Sequence, residues 1–447
     1  MHTYFRIVFF FAGCALQQVH LCNAKADQHC LQTRCTHPTP SFGLSEPSLD
    51  SRFPICYASE FVFKPTSKNI SSPQPGEHIS LSRVGSFVEH QCFENMIKGQ
   101  EKHCIYVDST FSDGRGMSIF TRPSVLKKEI SQLPIFNHPK SVVTQAERES
   151  VPFRVTPIPG KGNGALASRP ISTGELIISD HAVTVISMEP TAYSRSDLDD
   201  ICQSTVNLLS FQTQSRFKRL HAVGKTEAAW TRSAIDRNAF EVVYGSEENG
   251  LHFAVVPEPA VINHACRPNS VFFFDPVDLR LYVYAVRDIA VDEEITIAYR
   301  DMKQPKAARQ VAIEHYGFQC TCSHCSMSEA ETVTSDKRIH EIDGIMETLM
   351  DYSPTSKATL DLADKLILLY QEEHFDDRMA EPYTLATMTY NSFGEIEATK
   401  KYAAMAKSAG LLVSGSTWVE LSAIEEMEKD PLTHWTHNAR RGMPARV

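Results

Sequence analysis

The chain has 447 residues, 42% of them hydrophobic, which is enough to bury a large core shared by two or three domains and excludes a disordered protein. A formal net charge of -10, without a lysine- or arginine-rich arm, argues against direct nucleic-acid binding as the main business.

In chain order, the apolar run Ile7 to Leu16 follows Arg6 and leads to Cys22-Asn23-Ala24, small or modest residues at which a signal peptidase could cut. The run is shorter than the about 20 residues that a membrane-spanning helix needs. Residues 1–24 are therefore expected to be a cleaved secretory signal, with a buried N-terminal strand or a mistaken start codon as alternatives. Cleavage would leave an exported protein, in the secretory pathway or extracellular, with no membrane attachment. A retained N-terminus would leave it in the cytoplasm or nucleus.

Residues 25–150 are rich in Pro, Ser and Thr, and read as a loop-rich region with short β-prone pieces such as Glu60 to Phe63 and Cys104 to Val107. Cys30, Cys35, Cys56, Cys92 and Cys104 suggest disulfide staples, but five is an odd number. Either one is free or Cys202 takes the sixth place, and spacing does not set the pairing. Asn69-Ile70-Ser71 has the form of a glycosylation acceptor.

At Val151 the texture changes. Phe153 to Pro157, Ala165 to Arg169, Leu176 to Ser179 and Ala182 to Ser187 read as short strands, with a glycine-dense turn at Gly160-Lys161-Gly162-Asn163-Gly164. Asp197 to about Val223 and Thr226 to Arg237 have helical spacing and form an insertion at about 190–240. Strands resume at Phe253 to Val256, Val271 to Phe274, Leu281 to Ala285 and Ile295 to Ala298, and Pro305 to His315 reads as a short helix. Beyond Glu329 the spacing is helical for about a hundred residues, as an array of TPR-like hairpins or a bundle covering an open side of the core.

Cys320, Cys322 and Cys325 have C-x-C-x-x-C spacing, which lets thiolates converge on a tetrahedral zinc if a fourth ligand joins them. Cys266 is the obvious donor, His324 a substitute, and a disulfide pair the alternative chemistry. The segment Val261 to Tyr299 places Asn263-His264, Cys266 and a terminal tyrosine within a run otherwise rich in apolar β-formers, so its polar residues need a reason.

Asn263-His264-Ala265-Cys266-Arg267-Pro268-Asn269, with Glu293-Glu294-Ile295-Thr296-Ile297-Ala298-Tyr299, resembles the paired signature of SET-domain protein-lysine methyltransferases. Gly160 to Ala167, with Gly174-Glu175, resembles the family's glycine motif, and Tyr316-Gly317-Phe318 with the cysteine triplet resembles its post-SET zinc segment. Four motifs in the family's order span about Phe153 to Cys325. The chain is most similar to the split SMYD-like branch and its fungal relatives, although the insertion holds only Cys202 and no MYND module.

The resemblance implies an α+β fold with a knotted, mainly β core at 151–303, a post-SET segment at 304–328 and a helical region at 329–447. It also implies S-adenosylmethionine as methyl donor and a lysine-bearing protein or peptide as substrate. Lys161, Gly162, Asn163 and Gly164 would face the cofactor's amino-acid end, the glycines permitting close backbone approach. Asn263 would meet its amino group and the His264 backbone its adenine. Tyr299 would orient the amine during transfer, and Phe318, Tyr282 and Phe240 would wall the lysine channel. Glu293 and Glu294 read as solvated turn charges. A SET fold without activity, serving as a secreted or luminal interaction protein, is the alternative. Oligomeric state is not readable.

Overall fold

Alternation of apolar and polar residues builds the strands of the centre. In a computed structural model, the chain is described at residues 82–137, 143–144, 147–148, 150–189, 192–245, 250–314 and 316–441, all within one compact unit. The expected signal sequence, the glycosylation triplet, and Cys30, Cys35 and Cys56 lie outside the described residues.

Fourteen strands among the described residues form three sheets. The largest has the order β1-β2-β3-β4-β8-β10-β9, with β1 Arg83–Val84, β2 Phe87–Phe93, β3 His103–Asp108, β4 Met117–Thr121, β8 Thr184–Ser187, β9 Ala239–Val243 and β10 Leu251–Val255. The second joins β11 Asn263–His264, β14 Glu294–Ile297, β6 Gly162–Ala167 and β5 Phe153–Ile158, in that order. The third is β12 Ser270–Asp275, β13 Arg280–Ala285 and β7 Leu176–His181.

The region before residue 150 is less separate than its loop-rich composition suggests. Residues 87–121 supply three strands, and β4 pairs in parallel with β8, so one sheet runs across the expected boundary. Cys92 and Cys104 form a disulfide between β2 and β3, where they are register partners. Cys202 is instead a buried free thiol, so it does not fill the sixth place.

The insertion comprises α1 Arg195–Asn207, α2 Phe211–Phe217 and α3 Glu227–Asn238. Ser194, Ser210 and Thr226 cap them by accepting backbone N–H bonds, which ends the single long helix expected over residues 197–223 at its middle. Ile201, Val206, Phe217 and Ile235 on the helices pack with Ile105, Phe120 and Phe253 of the largest sheet.

In β13, Leu281, Val283 and Ala285 point into the core while Tyr282 and Tyr284 lie on the other face, the period of two that a half-buried strand demands. After α4 Lys306–Glu314 comes the helical region: α5 Glu329–Met350, α6 Leu360–Glu372, α7 Ala380–Phe393, α8 Ile396–Ser414 and α9 Leu421–Lys429. Helix α5 starts ten residues before its first buried apolar position, Ile339, because Ser328 and Glu331 form a capping box. Ile339, Ile342, Ile345, Met346 and Leu349 give it a buried stripe facing Leu366 and Tyr370 of α6. No helix of the described residues is long and apolar enough to cross a membrane.

Candidate active site and thiol cluster

The two-residue strand β11 gathers the site. It pairs in parallel with β14, Asn263 opposite Thr296 and His264 opposite Ile297, although some thirty residues of chain separate them. Asn269 fastens this crossing: its Oδ1 accepts from Thr296 N at 2.8 Å and its Nδ2 donates to Glu294 O at 2.9 Å. On the other side, β14 pairs with β6 of the glycine motif. Three distant segments therefore meet on one sheet.

The residues of the glycine turn do two different jobs. Gly162 has φ of 73° with open space where a Cβ would stand, so glycine is used there for backbone conformation. A Cβ at Gly164 would lie 2.7 Å from Asn263 Nδ2 and 2.6 Å from Ile158 Cγ1, so this glycine makes room for protein atoms. Lys161 Nζ donates to Glu294 Oε2 at 2.6 Å, and Asn263 Nδ2 donates to Glu294 Oε1 at 2.9 Å and to Asn163 O at 3.1 Å. Glu294 is thus not a loose turn charge, and neither is Glu293, which accepts from Asn269 and Arg287.

His264 is buried. Its Nδ1 accepts from Tyr299 N at 3.1 Å, which leaves Nε2 to carry the proton and face Cys266 Sγ at 3.5 Å. Burial brings its pKa down to about 4, so the ring is neutral at physiological pH. The side chain thereby joins the tyrosine backbone to the thiol cluster.

Tyr299 follows β14, and its hydroxyl donates to Ile262 O at 2.9 Å. Burial pushes its phenol well above the ordinary value, with Tyr316 and Glu294 adding to the shift, so it remains protonated. Tyr316 stands 5.0 Å away centroid to centroid, and Phe318 presents its edge at 6.5 Å. Phe318 is partly exposed and also faces His264 at 6.3 Å. Phe240 packs on Phe272 and Phe274 beside the same core cluster as Tyr299. Tyr282 is not brought to this group. It lies on the outer face of β13, stacked on Phe273 at 5.0 Å.

Cys266, Cys320, Cys322 and Cys325 have all four Sγ atoms within 4.8 Å of one another. Cys266 Sγ is 3.4 Å from Cys325 Sγ and 3.9 Å from Cys320 Sγ, against about 3.8 Å between sulfurs around a tetrahedral ion with 2.3 Å bonds. The set fits a thiophilic cation. Among the thiols alone, the bonds from Cys266, Cys320 and Cys325 hold Cys322 far below the ordinary range, while Cys320 and the other two push Cys266 far above it. A divalent ion removes that conflict by stabilising every thiolate.

His324 is not among the converging ligand atoms, and its Nε2 faces Ser335 Oγ at 3.0 Å and Glu373 Oε2 at 3.2 Å. Glu373, fully buried after α6, also accepts from Arg338 Nη1 at 2.6 Å, Ser335 Oγ at 2.7 Å and Arg267 Nη2 at 3.0 Å. Arg267 in turn lies over Phe375 at 3.9 Å. This ion network was not foreseen. A histidine inside the cysteine triplet and an arginine beside Cys266 were its only local signals.

A parallel two-residue crossing, a tyrosine just beyond β14 and four converging thiols thus meet in one region. Residues 162–300 match the family model of the SET domain, so the chain carries a SET domain. Its homologues include the histone-lysine N-methyltransferase set5 of Schizosaccharomyces pombe, 30% identical over 178 residues that make up 40% of this chain and 51% of the relative. Another is the human histone-lysine N-methyltransferase SMYD3, 33% identical over 106 residues, 23% of this chain and 24% of that protein. A third is the protein-lysine N-trimethyltransferase SMYD5 of Gallus gallus, 36% identical over 80 residues, 17% of this chain and 19% of that protein. The chain thus spans about half the length of the first relative and about a quarter of the second. The mixed α+β architecture agrees with the reading of the sequence.

Proposed function

We propose that the chain transfers a methyl group from S-adenosylmethionine to a lysine side chain of a protein. The observation that carries this reading is the in-register β11–β14 crossing, which puts the polar end of Asn263, the partly buried phenol of Tyr299 and the thiol cluster in one neighbourhood. The cofactor supplies the methyl as a sulfonium. Lys161 and Glu294 present a cation and an anion side by side, matched to a zwitterionic amino-acid end, and the acceptor-only contacts of Asn263 Nδ2 leave its Oδ1 for an ammonium. Zinc is the proposed ion at the four cysteines, where it would hold the Tyr316–Phe318 wall against Tyr299.

The lysine must arrive as a neutral amine with its lone pair free. Tyr299, protonated and with its hydrogen directed to Ile262 O, keeps lone pairs that accept an amine N–H and so orient the nitrogen. Its role is alignment, since holding two reactants at attack distance supplies much of the acceleration. Phe318 and Tyr316 would exclude water beside it, and Phe240 would extend this wall from the neighbouring core. The names of the relatives make histone lysines the first substrates to try.

The test is methyl transfer to histone peptides alongside equilibrium binding of S-adenosylmethionine, with zinc-loaded protein. Tyr299→Phe should retain cofactor binding and lose about 100-fold in transfer. Folded wild-type protein that binds no S-adenosylmethionine would refute the reading, and unchanged turnover in Tyr299→Phe would remove that residue from its role.

A further inference from the structure

Asn263 has an amide that can be placed two ways round, and its orientation decides whether it offers an acceptor or a donor to a ligand. Here the neighbours settle the matter. Nδ2 lies 2.9 Å from Glu294 Oε1 and 3.1 Å from Asn163 O, and a carboxylate and a backbone carbonyl can only accept. The reversed amide would set oxygen against oxygen at both contacts. Gly164 protects the arrangement, because a Cβ there would come within 2.7 Å of Nδ2 and 3.1 Å of Glu294 Oε1. The same carboxylate holds Lys161 through its second oxygen at 2.6 Å.

Resting on the proposed binding of S-adenosylmethionine, we infer that Glu294 is a positioning residue for the cofactor's amino-acid end: it locks the Asn263 amide so that Oδ1 faces the α-ammonium, and it fixes Lys161 beside it. Glu294 acts through those two side chains and does not touch the reacting atoms. Its position explains why a carboxylate at the start of β14 is only 18% exposed when a turn charge would be solvated. It also explains the spacing of the glycine turn, with an open position at Gly162 and a filled one at Gly164.

The discriminating ligands are S-adenosylmethionine and 5′-methylthioadenosine, which keeps the nucleoside and lacks the amino-acid end. Calorimetric titration of the full chain should find S-adenosylmethionine weakened about 10- to 100-fold in Glu294→Gln, whose amide can pair with either orientation of Asn263, while 5′-methylthioadenosine binds as before. Glu294→Asp keeps the charge with a shorter reach and should fall between the two, which guards against a glutamine variant that fails to fold. Equal weakening of both ligands in the two variants, or wild-type affinity for S-adenosylmethionine in both, overturns the inference while wild-type binding still supports the transferase reading. Wild-type protein that binds 5′-methylthioadenosine but not S-adenosylmethionine overturns both.

Discussion

Two cysteine groups in this chain have the same side chain and opposite designs. Cys92 and Cys104 are register partners on adjacent antiparallel strands, so each thiol has one neighbour and the pair closes as a disulfide. Cys266, Cys320, Cys322 and Cys325 come from a loop after β11 and a turn after α4, and each sulfur has three neighbours at similar distance. The first group staples a sheet that already has its own hydrogen bonds. The second gathers segments from outside the regular strand ladders, and at its back stands the Glu373 network. Sheet geometry makes a bond between two thiols, whereas loops gathered around a point make a ligand shell.

That contrast breaks most sharply on metal removal. Cys322→Ser, or chelation of the wild type, should release about one equivalent of zinc and lower the melting temperature strongly, since structural zinc contributes on the order of 10 kcal/mol to small sites. A Cys320–Cys325 disulfide recovered from native protein would reverse the assignment of the two groups.

The next largest effect is expected at Glu373. Removing its charge by Glu373→Gln leaves Arg267 buried without its partner and should cost about 3–5 kcal/mol in denaturant titrations. Burial by itself would raise this carboxyl, but bonds from His324, Ser335, Arg338 and Arg267 outweigh it and bring the pKa down to about 2 from 4.5. A depressed folded pKa stabilises above the unfolded value, so this contribution, about 3 kcal/mol, is present above pH 4.5 and lost as pH falls towards 2. The acid limb of stability should flatten in the glutamine variant; an unaltered limb would assign it to other carboxylates.

The disulfide should matter less. Replacing Cys92 and Cys104 together by alanine opens a loop with a sequence separation of 12 and should cost about 3 kcal/mol at most, with zinc content unchanged. A loss of metal in that variant would show that the two groups are coupled through the core.

How much of this was legible depends on how far apart the partners lie. The central strands, the presence of the helical insertion, the helices after Glu329 and the convergence of Cys266 with the triplet follow from period and spacing, while the break at Ser210 and the early start of α5 are set by caps. The sheet built from residues 87–121 was obscured by Pro- and Ser-rich neighbours, and β9 by its position directly after α3. Site geometry was less readable than site membership. Nothing local reveals that Glu294 takes Lys161 from 133 residues away, that Gly164 is filled by Asn263, or that Tyr282 faces outward from the core. Such facts are set by pairing register, which a linear pattern leaves open.

Cys202 supplies the smallest effect and a control for both groups. It sits on α1 among Ile201, Val206 and Phe217, with no exposed surface and no partner sulfur among the described residues. Burial pushes its thiol far above the ordinary range, so it is neither nucleophile nor ligand but a small apolar filler. Cys202→Ala removes one buried sulfur and should cost about 1 kcal/mol, leaving zinc content and cofactor binding at wild-type levels. The folded thiol should also resist alkylation until denaturant is added. Rapid labelling in native conditions would show that α1 opens away from the sheet, and the insertion would then have to be treated as a moving part beside a static site.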